Sequence, residues 1–479
     1  MVLQKWMARR AFAQSPLAAA PASLDNDMTQ NIARDVYNAS VVPTADAKGA
    51  PPAAFTHSPS GLRPAYSTPK PLFAESTGNG ELANLLNAIA ALCVCEPQHQ
   101  RVAVSLVHLK DRIVLHIAQN ASREWEQSIP KMVHDVWRLL ADFARVIGDP
   151  QTRSLKAKAR GHEAQRRILE RLVRHGVEQL RHRVCKHWEL LQHTCLRLQA
   201  EKVKRGRMYK DFCAVALRIA ELREALLVPV PPRDWGTHVA PLLGRFYLAE
   251  QKSSVRGVDN MRLFLDQLNM STDESYALAT RLSKYISKCA ALIENTNMIM
   301  RLASFRTHSP IFGTPHFEVI TIPCRSERHS RAGSLSFWKS LSRREKRDDG
   351  VMMSYFLHAE CALLEYHHNT LRPRSGHVTA PDVPSHVVGT SKTPCHACRI
   401  LFSTYHTTYS EELQKKHCPL HLHLSPVQGD GSSTKVDSWL PPRLEGLGSD
   451  VESRFASHLL EEYRQYRMWT RKDIAAAVT

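Results

Sequence analysis

The stretch TPCHACRI, residues 393–400, decides how the rest of the chain is read. Two cysteines stand three apart behind a proline, in a chain of 479 residues with 11 cysteines. An odd and scattered cysteine set argues against a secreted disulfide scaffold and for a reducing compartment. In that setting a C-x-x-C binds metal or does chemistry more often than it bridges. The question is which other residues reach the same point.

Upstream stands His358-Ala359-Glu360, at the start of a helical run, with 33 residues between Glu360 and Pro394. H-x-E followed by P-C-x-x-C is the signature of zinc-dependent nucleobase deaminases. The residue types fit the chemistry. One imidazole (His358) and two thiolates (Cys395, Cys398) hold Zn²⁺ and leave a fourth position for water, which the metal makes acidic enough to attack near neutral pH. Glu360 stays out of the ligand set and shuttles the proton from water to the base and its departing amine. The two cysteines open a helix, whose N–H groups and dipole favour thiolate, and Pro394 suits a helix start. Lys392 and Thr393, just before the turn, are candidates for the pocket rim or plain loop residues.

A closed zinc site competes with this reading. Cys395-x2-Cys398 is followed after 19 residues by Cys418-x2-His421, with His423 as a spare ligand. Four protein ligands would make the metal structural. That reading leaves His358 and Glu360 without a task and must span an apparent helix. It would make the chain a non-catalytic, zinc-stabilised helical interaction module.

The same residues carry a resemblance. TPCHACRI is similar to the S-P-C-G-x-C-R block of the cytidine deaminase-like superfamily, with Thr393 for Ser and His396 for Gly. HAECALLEY (358–366) with VVGTSKTPCHAC (387–398) more closely resembles a fungal-expanded family of predicted nucleic acid or nucleotide deaminases named after an Orientia locus. The match covers about 355–410. The resemblance implies an α/β fold: a cytidine deaminase-like three-layer α-β-α core, here with a large mainly α-helical insertion or N-terminal helical domain. It implies hydrolytic removal of an exocyclic amine from a cytosine- or adenine-type base, as nucleoside, nucleotide or nucleic acid. A deaminase fold that has lost its substrate has the same sequence signs.

The superfamily order is helix, hairpin, H-A-E helix, strand, P-C-x-x-C helix, strand, helix. No helix and hairpin immediately precede His358. However, ELANLLNAIAALCVC (81–95) has apolar residues at helical spacing, and RVAVSLVHLKDRIVLHIAQN (101–120) alternates in two runs around a short turn. The expectation is a split domain: 80–120 supplies the first helix and hairpin, 124–305 is a helical basic region inserted before the H-A-E helix, and 306–350 is a strand (HFEVITIP, 316–323) plus a basic linker. Residues 351–445 form the zinc deaminase-like part and 449–479 a C-terminal helix. Otherwise 80–305 is a separate helical domain and HFEVITIP enters the sheet instead. Under the split, Asn120 falls where superfamily members place an Asn that contacts the nucleoside; a strand-end Asn making a turn is the plainer reading.

Composition frames the partners. Lys+Arg number 64 against 46 Asp+Glu, a net charge of +18, which favours polyanions. Residues 151–210 hold 17 Lys+Arg against 5 Glu, and 325–350 hold 8 Lys+Arg. Nucleic acid through the basic helices is one reading and a solvated face the other. Trp125, Trp137, Trp188 and Tyr209 are candidate base-stacking residues or helical core. No run approaches the ~20 apolar residues of a membrane helix, so the expectation is an intracellular protein of cytoplasm or nucleus without membrane contact. Protein partners are not legible. Residues 1–78 read as a Pro-, Ala- and Ser-rich disordered tail; Lys5, Arg9 and Arg10 with no acid before Asp25 also match a mitochondrial transit peptide.

Overall fold

The computed structural model describes residues 77–328 with short breaks (97–99, 109–110, 121–122, 149–154, 202–205, 230, 269, 305–308, 315 and 325), then 354–371, 387–416, 423–424, 439–440 and scattered positions from 442 to 465. The tail expected over 1–78 therefore lies almost wholly outside the described residues, as do most of the basic linker, the 372–386 loop and the opening of the C-terminal helix.

A hairpin organises the fold. β1 (Val102–His108) and β2 (Arg112–Gln119) pair antiparallel from Val102↔Gln119 to His108↔Ile113. Their period-two pattern buries both faces, so each face needs a cover. On one face Val102, Val104, Leu106, Ile113, Leu115 and Ile117 pack against Leu85, Leu86 and Ile89 of α1 (Thr77–Leu92) and against Met132, Val136 and Trp137 of α2 (Arg123–Gly148). On the other, Ala103 and Ala118 pack against Ala359, Ala362 and Leu363 of a helix far along the chain, α10 (Ala359–Leu371). Small residues at those strand positions let that helix approach closely.

Between the hairpin and α10 the chain is mainly helical: α3 (Leu155–Lys186), α4 (Trp188–Ala200), α5 (Arg207–Leu227), α6 (Trp235–Gln251), α7 (Val258–Leu265), α8 (Thr272–Ala303) and a short α9 (Ser309–Gly313). These helices have a core of their own, with Phe212, Phe246, Phe264 and Tyr285 among its buried side chains. The Tyr285 hydroxyl donates to the Val184 carbonyl at 2.7 Å, which satisfies a buried polar group. A capping box of Ser271 and Glu274 starts α8, and the far end of α8 (Ile299, Leu302) joins the core beneath the hairpin. Much of the basic charge is met locally. Arg166 and Arg167 pair with Glu163, Arg181 with Glu178, Arg197 with Glu201 and Arg218 with Glu221.

The sheet then closes over a long gap in sequence. β3 (His316–Pro323) runs parallel to β2 at the edge. β6 (Val387–Thr390) pairs antiparallel with β1 through Ala103↔Thr390 and Val104↔Gly389. β7 (His423–Leu424) runs parallel to β6, and the strand order is β3-β2-β1-β6-β7. HFEVITIP thus enters the sheet together with the hairpin, although the two were alternatives in the sequence. α10 and α11 (His396–Lys416) cover one face, and α1 and the inserted helices cover the other.

The 325–350 segment, expected as basic linker throughout, begins as a strand. β4 (Ser326–Arg328) pairs with β5 (Ser354–Leu357), and β5 also pairs with β8 (Trp439–Leu440) in a second small sheet. Arg-rich composition masked β4 because its backbone pairing needs no apolar run. Among the described residues no helix is long and apolar enough to cross a membrane.

The contact between α1 and β6 has no slack. A Cβ on Gly389 would lie 2.3 Å from the Leu86 carbonyl carbon, while the Thr390 N–H donates to Asn87 Oδ1 at 2.8 Å. Gly389→Ala is expected to destabilise by at least about 1–3 kcal/mol through overpacking against backbone. Gly244→Ala, inside α6 with open space around it, should stabilise by about 0.5–1 kcal/mol. Denaturant unfolding of the two variants checks both signs.

Candidate metal centre

Two helix starts meet at the end of the central strands. β5 delivers the chain to His358, whose carbonyl accepts the Ala362 N–H at 2.9 Å, so His358 occupies the cap of α10. β6 delivers it through Ser391–Pro394 to Cys395, whose carbonyl accepts the Arg399 N–H at 3.1 Å at the start of α11. Pro394 precedes that cap, where its missing N–H costs the helix nothing.

His358 Nδ1 lies 3.4 Å from Cys395 Sγ and 3.3 Å from Cys398 Sγ, and the two sulfurs are 3.3 Å apart. All three residues are buried, and their donor atoms lie within 4.8 Å of one another. These are close to the ~3.3–3.8 Å ligand-to-ligand edges of a tetrahedral site with ~2.0–2.3 Å bonds. One imidazole and two thiol sulfurs form a soft donor set that suits zinc. Hydrogen bonding from Cys398, then the neighbouring His358, pulls Cys395 down to about 4 against the opposing effect of burial. Burial and the adjoining Cys361 and Cys395 thiols push Cys398 up.

Glu360 sits one residue into α10 and is 3 % exposed. It stands close enough to Cys398 for its charge to raise that thiol. Among the described residues no hydrogen bond or ion pair engages its carboxylate.

Asn120 ends β2 at the same end of the sheet. Its Oδ1 accepts the Arg101 N–H at 2.6 Å and its own N–H donates to the Arg101 carbonyl at 3.4 Å. That contact ties the two open ends of the hairpin together, rather than making the local turn of the plainer sequence reading. Lys392 is exposed and Thr393 half-buried on the loop before Cys395. Cys418 and His421, from the competing closed site, lie outside the described residues. Trp137 stacks on Phe317 at 4.2 Å and Trp188 is buried in the helical core. Tyr209 packs against that core, and the Trp125 side chain is outside the described set.

Two neighbours of the cluster escaped the sequence reading. Cys361 Sγ lies 3.5 Å from Cys398 Sγ; its adjacency to Glu360 was the available signal. Arg101 reaches from before β1, with Nη1 3.4 Å from His358 Nδ1. The packing of α10 on the hairpin brings it there.

Residues 357–426 match the family model of the OTT_1508-like deaminases. The matched segment holds the whole His358, Glu360, Cys395 and Cys398 constellation, and the hairpin beneath it lies outside the match. No curated protein and no solved structure matches the chain.

Behind this deaminase-like segment lies a buried polar seam. Ser105 Oγ is 2.7 Å from His367 Nε2, and the His116 ring packs 4.8 Å from His367 and 5.2 Å from Tyr366. His368 Nδ1 meets the Tyr405 hydroxyl at 2.9 Å and ties α10 to α11. Burial lowers His116 to about 4; burial, then His116, lowers His367 to about 3. Both imidazoles are neutral in the fold, and in the unfolded chain they charge below ~6.5. Their stabilising contribution is full above pH ~6.5 and is lost as pH falls towards ~4, by up to ~1.4 kcal/mol per pH unit for each. Denaturant unfolding with chelator present throughout should show this loss, and His116→Phe should reduce its slope. An unchanged slope in that variant would contradict the assignment.

Proposed function

We propose that the chain is a zinc-dependent hydrolytic deaminase that removes the exocyclic amine of a cytosine- or adenine-type base and releases ammonia. Its catalytic domain is assembled from two separated segments: α1 and the hairpin, and the part from β5 onward. The observation that carries the reading is Glu360, a buried carboxylate beside three convergent metal-type ligands and outside their set. A structural zinc site gives no reason to keep such a group.

His358, Cys395 and Cys398 would hold the zinc, with both helix dipoles aimed at the negative sulfurs. The ion, when bound, supplies the Lewis acidity that makes water a nucleophile near neutral pH. Glu360 takes a proton from that water and passes it to the base. The first proton goes to the ring nitrogen as attack proceeds; Glu360 then moves a second from the hydroxyl added to the carbon to the amine, which leaves as ammonia. The α-β-α layering, the strand before each cap and the family match all support this assignment. Asn120, at the same end of the sheet, is proposed to meet the substrate, and Thr393 to line the rim.

Metal analysis and a base-deamination screen test the proposal together. The full-length protein is expected to carry one zinc that is lost in His358→Ala and kept in Cys418→Ala. Glu360→Gln should retain zinc and lose about 10²–10⁴-fold in turnover. Zinc that depends on Cys418 and ignores His358 would replace the enzyme reading with a structural one.

A further inference from the structure

β1 and β6 continue past their paired residues at the metal centre. Ser391 exchanges two contacts with Val102: its N–H donates to the Val102 carbonyl and its Oγ accepts the Val102 N–H, each at 2.9 Å. From the register Ala103↔Thr390, the next antiparallel pair is Val102 with Ser391, and the one after is Arg101 with Lys392. Two cations thus come near each other where the strand pair ends. Like charges brought near each other repel.

Among the described residues neither has an acidic partner. The Arg101 guanidinium has one described side-chain contact, His358 Nδ1 at 3.4 Å. Desolvation, then the charge of Arg101, lowers the Lys392 ammonium to about 8, while the residue as a whole is exposed. The arginines of the inserted helices differ in this respect, since many of them pair with neighbouring glutamates.

His358 Nδ1 is also the atom that faces both cysteine sulfurs. A metal held there takes the lone pair that Arg101 now uses. The half-buried guanidinium is then left without a described partner, near a second cation, and such a group needs an anion. A phosphate monoester, with a charge of about −1.5 to −2 and three acceptor oxygens, matches an Arg and a Lys together.

We propose that Arg101 and Lys392 form a phosphate seat at the rim, so that the substrate is a phosphorylated nucleoside and the unphosphorylated nucleoside is discriminated against. This rests on the deaminase reading for the base, while the anion seat itself can be tested without turnover.

The test uses the full-length, zinc-loaded protein. Lys392 is acylated by a limiting amine-reactive ester, and its labelling is read by peptide mass spectrometry. Cytidine, adenosine, their 5′-monophosphates, inorganic phosphate and a short single-stranded oligonucleotide are compared as protectants. Phosphate-bearing compounds are expected to slow labelling about tenfold and nucleosides not to. Protection should vanish in Arg101→Gln at unchanged zinc content and return in part in Arg101→Lys. Mononucleotide protection identifies a free nucleotide as the source, and protection by the oligonucleotide alone identifies a backbone phosphate. Labelling indifferent to phosphate, or protection that survives Arg101→Gln, overturns the seat and assigns the guanidinium to Glu360 or the thiolates. Protection in a protein whose Glu360→Gln variant turns over as fast as the parent would keep the seat and remove the deaminase.

Discussion

The antiparallel contact of β1 with β6 is the constraint on which the site depends. Two residue pairs make it, Ala103↔Thr390 and Val104↔Gly389, and Ser391 extends it to Val102. Through it the hairpin becomes the floor under both helix caps. It sets the height of Cys395 relative to His358 and places Asn120 at the same end. The α1 helix locks it from behind, because Gly389 lies against the backbone at Leu86 and Thr390 is held by Asn87.

That arrangement separates two tasks. The inserted helices bury their own aromatic core and reach the sheet through α2, α3, the end of α8 and α9. The metal centre sits on the opposite face, among Ala103, Ala118 and the small and aliphatic residues of α10 and α11. A change deep in the helical core therefore reaches the ligands through the hairpin and α1, whereas a change on α10 touches them directly.

The cluster was legible in the sequence because its chemistry is local: H-A-E and P-C-x-x-C each place ligands within one helical turn. The hairpin was legible from the alternation in VAVSLVH and RIVLHIAQ. What escaped depends on register between distant strands. Nothing in the residues around 101 says that Arg101 will come near Lys392, and β4, three residues long with Arg328 and Glu327 in it, has no apolar signature. The aromatic residues Trp137 and Trp188 looked able to stack on bases, but their helical spacing put them in the core. The Asn120 side chain is engaged with Arg101, an arrangement that only the closed hairpin reveals.

The long interval between β2 and β6 also shapes how the chain matures. During synthesis at ~5–20 residues per second, the hairpin emerges roughly 15–50 s before its partner strand. Through that time the β1 edge, which β6 will cover, offers unpaired amides and carbonyls to any other strand. The inserted helices can already be closing on their own core and on the opposite hairpin face. A ribosome-bound chain of this kind is most exposed to misassembly when its helical part is complete and its sheet is still open. Slowing the passage through 304–386 would lengthen the dependence on chaperones without altering any contact of the finished protein.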